Sequence, residues 1–169
     1  MINSYLIDSN QKYLISLVSS DVKGYSFNMN DIPVLQKLTS GIKTMKLKDK
    51  EVLASAIITK DLDGDCCFIF RDEIFVVPMK NFSILNRTSS GKQLVKYENK
   101  NLINAFHINK NSVLTYMNHD NTFANLIVSN YKVTRERIIF DILDASINFA
   151  YSNNNYNDLP NTGIFENIK

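Results

Sequence analysis

The 169 residues predict an all-β chain built from small four-stranded sheets, or blades, that follow one another in tandem. Three observations lead to this fold class: a repeat with a shift of 50 residues, alternation of apolar and polar residues within each repeat, and turn-forming residues between the alternating runs. About four short strands in about 50 residues is the size of one blade in a radial β architecture. We expect two clear blades and a third that is degenerate.

The repeat appears when residues 23–58 are set above residues 73–108 without a gap. Few residues are identical, but the class of side chain is kept at most informative positions. The matched positions include Tyr25 with Phe75, Phe27 with Val77, Met29 with Met79, Ser40-Gly41 with Ser90-Gly91, and Leu17-Val18 with Cys67-Phe68. So many matches in one register indicate a duplicated unit. The alternative is two unrelated β-hairpin regions that share an alternating pattern.

Within the first unit, a turn at residues 21–24 precedes a strand at residues 25–29. Residues 41–47 alternate in the same way and predict another strand after the Ser-Gly turn. Residues 52–58, and residues 102–108 of the second unit, are more continuously apolar. Such runs are typical of strands that are buried on both faces.

A third copy would begin near Ser112, with strands at residues 113–116 and 124–128 and a basic stretch at residues 132–137. It lacks the Ser-Gly pair, so we expect it to be degenerate or truncated. The predicted domain division is residues 1–137 for the repeats, with units at about 12–60, 62–110 and a partial 111–137, and residues 138–169 for a C-terminal tail. The tail predicts a short helix up to residue 151, followed by a polar, mobile end.

Composition excludes several classes of protein. Apolar residues make up 44% and charged residues 21%, which is typical of a globular chain rather than a disordered one. No apolar run reaches the 18 residues of a transmembrane helix, and the N-terminus lacks the basic and apolar regions of a secretory signal. The two cysteines, Cys66 and Cys67, are adjacent and form no disulfide framework, which fits a reducing cytoplasm.

The order of motifs resembles that of one known repeat family. Each unit has a strand, a turn, an alternating strand, a short apolar segment, a basic stretch with a small-Gly pair, and an apolar-Leu-Lys strand. The matching segments are 19–27 (SSDVKGYSF), 30–35 (NDIPVL), 38–47 (LTSGIKTMKL), 71–82 (RDEIFVVPMKNF) and 87–94 (RTSSGKQL). This pattern is similar to the C-terminal domain of the A subunit of bacterial type IIA topoisomerases, gyrase and topoisomerase IV.

The resemblance implies a β-pinwheel, a propeller-like ring of blades that exchange a strand with a neighbour and bend double-stranded DNA around a basic rim. It implies no catalysis and no cofactor in this domain. The domain would act with the remainder of its A subunit and with the ATPase B subunit. Together they would form an ATP-dependent isomerase in the cytoplasm, at the nucleoid. The family has five or six blades, so we expect this chain to be a fragment or a shortened relative. The glutamine-arginine-glycine box of gyrase is absent, which favours topoisomerase IV.

Charge is distributed unevenly. The net charge is only +2, but residues 22–50 carry six lysines against two aspartates, and residues 74–100 carry five cations against one glutamate. The connector at residues 60–73 is acidic. Phosphate attraction depends on cations within a Debye length, about 8 Å in physiological salt, so two basic units can bind DNA although the total charge is small.

The cations on the basic stretches are the predicted phosphate contacts: Lys37, Lys43, Lys46, Lys80, Arg87, Lys92 and Lys96. No base-reading constellation is present, so binding should be largely independent of sequence. In an ideal strand Lys43 and Lys46 would point to opposite faces, and a bulge near Gly41 could change this. The alternatives are that the lysines only keep β edges soluble, or that the chain is a β-repeat protein-interaction module without DNA binding.

Other chemistry finds little support. Residues 61–65 (DLDGD) resemble the start of a calcium loop, but Cys66 and Asp72 stand where the loop needs Gly and Glu, so a polar turn is expected. Cys66 and Cys67 would point to opposite faces of a strand, and the histidines have no ligand spacing, so no metal site is expected. No phosphate-binding glycine loop or nucleophile elbow is present, and the chain is not expected to be an enzyme on its own.

Overall fold

The computed structural model describes residues 7–8, 10–35, 41–70, 74–96, 102–109, 111–117, 123–127 and 149–153. Ten strands and two short 3-10 turns account for the regular structure of this part of the chain. The strands are β1 (Leu14–Ser19), β2 (Lys23–Asn28), β3 (Leu53–Thr59), β4 (Asp65–Phe70), β5 (Ile74–Pro78), β6 (Lys92–Gln93), β7 (Leu102–Ile108), β8 (Val113–Met117), β9 (Phe123–Ile127) and β10 (Phe149–Asn153). The 3-10 turns are Met29–Asp31 and Met79–Asn81.

The strands form three antiparallel sheets. The first blade has the order β3-β1-β2-β6, the second has β5-β4-β7, and the third has β10-β8-β9. The predicted all-β fold of tandem blades is therefore confirmed. No helix in the described segments is long and apolar enough to span a membrane.

The turn that connects the two hairpin strands is one residue longer in the first blade than in the second. Val18 pairs with Gly24 in the first hairpin, and Ile69 pairs with Ile74 in the second. These pairs enclose residues 19–23 in the first blade but only residues 70–73 in the second. The ungapped alignment is therefore wrong in the first strand of each unit, because the turn absorbs the missing residue.

With this correction, equivalent residues of the hairpin have equivalent neighbours, whereas β3 and β7 are offset by one residue in the opposite direction, since Ala56 and Ala105 take matching places. Leu17 lies opposite Tyr25, and Phe68, rather than Cys67, takes the matching place opposite Phe75. Tyr25 and Phe75 thus occupy the same position in successive blades, as the repeat predicts. Cys67 is still fully buried, in the core of the second blade.

The main core lies between the first two blades. Val18 and Ile57 of the first blade pack against Phe68 and Phe75 of the second in one buried cluster. A second cluster covers the other face of the first blade, where Tyr25 packs with Ile15, Leu17, Phe27 and Met45. The first blade therefore buries one face against the second, as neighbouring blades of a radial β architecture do.

The burial of the apolar runs differs from the expectation. β3 and β7 were predicted to be buried on both faces, but they lie at sheet edges and are only half-buried. Val52, next to β3, is 59% exposed. The hairpin strands β1, β2, β4 and β5 are more fully buried, including β5, which also lies at a sheet edge.

Two other elements depart from the sequence analysis. Residues 41–47 form no regular strand, because their backbone is bonded to the second repeat at separate points instead of in a continuous ladder. Residues 149–151, at the end of the predicted helix, belong to β10, which pairs with β8. The rest of that predicted helix and of the polar end lies outside the described residues, and the predicted strands at 113–116 and 124–128 are found as β8 and β9.

Candidate nucleic-acid interface

The second repeat supplies an edge strand to the blade of the first repeat. β6 pairs with β2 so that Lys92 lies opposite Gly24. A few residues earlier, the Leu85 N–H donates to the Ser26 carbonyl at 2.8 Å. The chain that follows the second 3-10 turn therefore crosses to the first blade, and backbone hydrogen bonds hold the two blades together.

The crossing depends on a contact between two glycines. Gly91 has φ +70°, and a Cβ built on it would lie 2.9 Å from the carbonyl carbon of Gly24. A Cβ on Gly24 would lie 2.8 Å from the Leu17 carbonyl oxygen. The Lys-Gly turn of the first repeat and the Ser-Gly pair of the second are therefore two sides of one contact that only glycine allows.

We call the surface beside this crossing the seam, which comprises residues 41–47 of the first repeat and residues 86–91 of the second. Two backbone hydrogen bonds join its halves. The Thr88 N–H donates to the Thr44 carbonyl at 3.1 Å, and the Lys46 N–H donates to the Ser89 carbonyl at 3.0 Å. Basic residues that are more than 40 positions apart in sequence are thereby neighbours on one surface.

Three of the predicted phosphate contacts lie on the seam close to these bonds. Lys43 and Lys46 are exposed, and Arg87 is half-buried. The Arg87 Nη1 donates to the Lys43 carbonyl at 2.5 Å, which ties the guanidinium to the opposite half of the seam. The cations on this surface therefore come from both repeats.

The lysines of the first half of the seam lie on a bent segment and not on a flat strand. The chain bends at Met45, whose side chain is 4% exposed and belongs to the core of the first blade. Because the segment is bent and is not a flat strand, Lys43 and Lys46 are both exposed. The alternation of faces that an ideal strand would impose does not apply to this bent segment.

The other predicted contacts are more scattered. Lys92 is exposed on β6, Lys80 is exposed on the second 3-10 turn, and Lys96 is exposed just after the buried Val95. Lys37 lies outside the described residues. Within the described ranges, only Lys23 among the cations has an ion pair, and its partners are Asp21 and Glu51.

Tyr25 connects the seam to the core, and sequence reasoning had not assigned it a role there. Its ring is fully buried, and its hydroxyl donates to the Thr44 carbonyl. Burial raises the pKa of the Tyr25 hydroxyl, although the backbone of Thr88 and Ser89 and the charge of Arg87 act in the opposite direction. The hydroxyl thus lies where the two halves of the seam meet, a position that Phe75 cannot reproduce in the second blade.

Replacing Tyr25 with phenylalanine is expected to lower the free energy of unfolding by about 1 kcal/mol, because a buried hydrogen bond is lost. Urea denaturation measures this loss. Tyr13→Phe is the matched control, since the Tyr13 hydroxyl is buried without a hydrogen-bond partner among the described residues. Its removal should be neutral or stabilising. Equal losses in the two variants would show that the Tyr25 hydroxyl does not hold the seam.

Residues that could suggest other chemistry have structural roles. Cys66 and Cys67 are fully buried, and burial raises the pKa of both thiols, which keeps them protonated and unreactive. Residues 61–65 form the expected polar turn between β3 and β4, in which Asp61 accepts a hydrogen bond from the Asp63 N–H at 2.9 Å. The described residues contain no cluster of three or more side chains that could hold a metal ion.

Comparison with known proteins agrees with this geometry. The family described as the DNA gyrase C-terminal domain, beta-propeller, matches residues 16–60 and 74–109, which are the two repeats. A curated relative, the A subunit of DNA topoisomerase 4 from Mycoplasma pneumoniae, is 25% identical over 112 residues. That match covers 66% of this chain and 14% of the relative.

Solved structures show the same fold. The C-terminal domain of DNA topoisomerase IV superposes with a TM-score of 0.71 at 11% identity, over 82% of this chain and 46% of that domain. The DNA gyrase A C-terminal domain superposes with a TM-score of 0.68 at 14% identity, over 83% of this chain and 50% of that domain. The E. coli ParC C-terminal domain superposes with a TM-score of 0.65 at 14% identity, over 92% of this chain and 64% of that domain.

Tandem antiparallel blades joined by an exchanged edge strand define a repeat module of the β-pinwheel class. The two repeats of this chain belong to the C-terminal domain family of the A subunits of bacterial type IIA topoisomerases. The chain spans about half to two thirds of the solved domains and a small part of the curated relative.

Proposed function

We propose that this chain is a non-catalytic module that binds and wraps double-stranded DNA for a topoisomerase. The observation that carries the proposal is the seam, where Lys43, Lys46 and Arg87 from two repeats lie on one surface. Accessible cations that have no ion pair among the described residues attract phosphates and release the counterions of DNA. Lys37, Lys80, Lys92 and Lys96 are the further proposed phosphate contacts.

The mechanism is electrostatic holding and bending of the duplex. Contacts to phosphate fix the position of DNA but carry no sequence information. Preference among sequences then comes from the cost of bending, which differs between flexible and stiff DNA steps. The module would hold a bent segment so that a second duplex segment reaches the site of strand passage elsewhere in the enzyme.

The proposed partners follow from the family. They are the remainder of the topoisomerase A subunit, which carries out strand cleavage, and the ATPase B subunit, which makes strand passage ATP-dependent. The isomerase activity belongs to that assembly and not to this chain. The proposed location is the cytoplasm, at the nucleoid, and topoisomerase IV is favoured over gyrase because the glutamine-arginine-glycine box is missing from the sequence.

A protein-interaction module is the second candidate. Four apolar side chains after the 3-10 turns, at matching positions of the two repeats, are exposed: Val34 is 100% exposed, Leu35 42%, Ile84 54% and Leu85 41%. Exposed apolar side chains at equivalent positions are typical of a surface that binds another protein. This candidate requires no attraction to phosphate. The salt dependence of DNA binding therefore separates the protein-interaction module from the DNA-binding module.

The test is the affinity for a mixed-sequence duplex, measured by gel shift between about 50 and 200 mM salt. If about five cations contact phosphates, log K should fall with log salt at a slope of about −4.5. A duplex of different sequence should bind with similar affinity. Absence of binding at the lowest salt, or binding that is indifferent to salt, would contradict the proposal and favour the second candidate.

A further inference from the structure

A buried carboxylate lies just beyond the seam, in the loop that leads into β3. The Glu51 side chain is 2% exposed, and each of its oxygens has a hydrogen-bond donor. Oε1 accepts from the Ser19 hydroxyl at 2.5 Å and from Lys23 Nζ at 3.2 Å, and Oε2 accepts from the Lys48 N–H at 2.8 Å. Burial alone would raise the pKa of Glu51, but these donors outweigh it and lower the pKa below its ordinary value.

These hydrogen bonds fix a tight turn at residues 48–51. The Glu51 N–H donates back to the Lys48 carbonyl at 3.2 Å, which closes the turn on itself. Lys50 has φ +64°, a left-handed conformation that a lysine adopts only where its surroundings hold it. The conformation of the turn is thus set by the carboxylate beneath it.

The base of the turn is clamped to the first hairpin. The Ser20 N–H donates to the Val52 carbonyl at 2.8 Å, and the Val52 N–H donates to the Ser20 hydroxyl at 3.1 Å. The turn therefore cannot move independently of the first blade.

Lys48, Asp49 and Lys50 are exposed on top of this turn. Neither lysine has an ion pair among the described residues, in contrast to Lys23 beneath them. Lys46, a seam cation, lies only two residues before Lys48, so the turn extends the cationic surface of the seam. Asp49 offsets part of this charge.

The sequence of the second repeat lacks the side-chain donors of this arrangement. Phe70 is the structural equivalent of Ser19 and offers no hydroxyl, and Glu73 stands in sequence where the first repeat has Lys23. A buried carboxylate at the matching place would lack both side-chain donors. The clamped turn is therefore a feature of the first blade, outside the pattern that the two repeats share.

We propose that the turn at residues 48–51 is a further contact site for the phosphodiester backbone, specific to the first blade. Lys48 and Lys50 are the contacting cations, and Glu51 is a positioning residue that holds the turn against the hairpin. A pre-formed turn binds without the loss of freedom that a flexible loop would suffer on binding. The inference rests on the DNA-binding function proposed above and adds two contacts to it.

The test is the double variant Lys48→Gln/Lys50→Gln, measured with the same duplex and salt series. Loss of two phosphate contacts should make the slope of log K against log salt shallower by about 1.8. The matched control is Lys12→Gln/Lys60→Gln, which removes the same charge at the other end of the first sheet, where Leu14 pairs with Thr59. This control should leave the slope unchanged.

The outcomes separate the two proposals. If the unmodified chain shows no salt-dependent binding, the proposed function fails. If the unmodified chain binds as expected but the two double variants have equal slopes, the function stands and the contact site at the turn is wrong. All four substituted lysines are exposed, so folding is not at risk in either variant.

Glu51→Gln tests the positioning role separately. The substitution raises the net charge by one, so general attraction alone predicts tighter binding to DNA. If Glu51 positions the turn, binding should weaken and the slope should become shallower in spite of the added positive charge. Ser19→Ala removes one donor without any change of charge and should act in the same direction. Tighter binding in Glu51→Gln together with unchanged binding in Ser19→Ala would overturn the positioning role.

Discussion

Replacing Gly91 with alanine is expected to lower the free energy of unfolding by about 3 kcal/mol. The left-handed φ of +70° costs an alanine about 1 kcal/mol, and the new Cβ would lie 2.9 Å from the backbone of Gly24, an overlap that adds about 1–3 kcal/mol. Gly24 cannot move away, because it pairs with Val18 inside the first hairpin. Urea denaturation monitored by circular dichroism measures the loss.

Gly41→Ala is the matched control for this prediction. Gly41 has a similar φ of +85°, but a Cβ built on it meets no described atom within 4 Å. Only the conformational cost applies there, so the loss should be about 1 kcal/mol. Equal losses at the two glycines would show that the exchanged segment does not depend on the close approach of Gly91 to Gly24.

Neutralising the seam is expected to have the largest effect on DNA binding. The triple variant Lys43→Gln/Lys46→Gln/Arg87→Gln removes three proposed phosphate contacts, so the slope of log K against log salt should become shallower by about 2.7. At about 0.1 M salt this corresponds to a loss of affinity of two to three orders of magnitude. Gel shifts across salt concentrations measure both quantities.

The controls for the triple variant address its folding and its charge. Loss of the hydrogen bond from Arg87 to the Lys43 carbonyl costs about 1 kcal/mol of stability, so circular dichroism must first show an intact fold. Restoring Lys43 and Lys46, with Arg87→Gln kept, should recover most of the slope. If the triple variant binds DNA as the unmodified chain does, the seam is not the interface.

The repeat and most of its strands could be predicted from sequence, because alternation with period two and turn residues are local signals, but the predicted strand at residues 41–47 is not formed. The one-residue difference between the hairpins could not be predicted, since both turns close a similar pair of strands and only the pairing of Val18 with Gly24 and of Ile69 with Ile74 reveals it. The burial of β3 and β7 was overestimated because an apolar run does not show how much of its strand the neighbouring elements cover.

The candidate site was predicted in part. The basic stretches were identified by charge, and six of the seven predicted cations lie in the described structure as exposed or half-buried side chains. The role of Tyr25 and the clamped turn around Glu51 were missed, because each depends on partners about 19 to 32 residues away in sequence. The weak signal that was available is the tyrosine itself, a hydroxyl at a position where the second repeat has Phe75.

The sequence by itself determined the all-β class, the duplication and the concentration of positive charge in each unit, since these depend only on residue type and spacing. The tertiary structure decided which blade each segment joins. It brought Gly91 against Gly24, bent the chain at Met45 so that Lys43 and Lys46 are both exposed, and placed Arg87 beside Lys43. These contacts join residues far apart in the chain, so they are set by how the two blades pack and not by any local pattern.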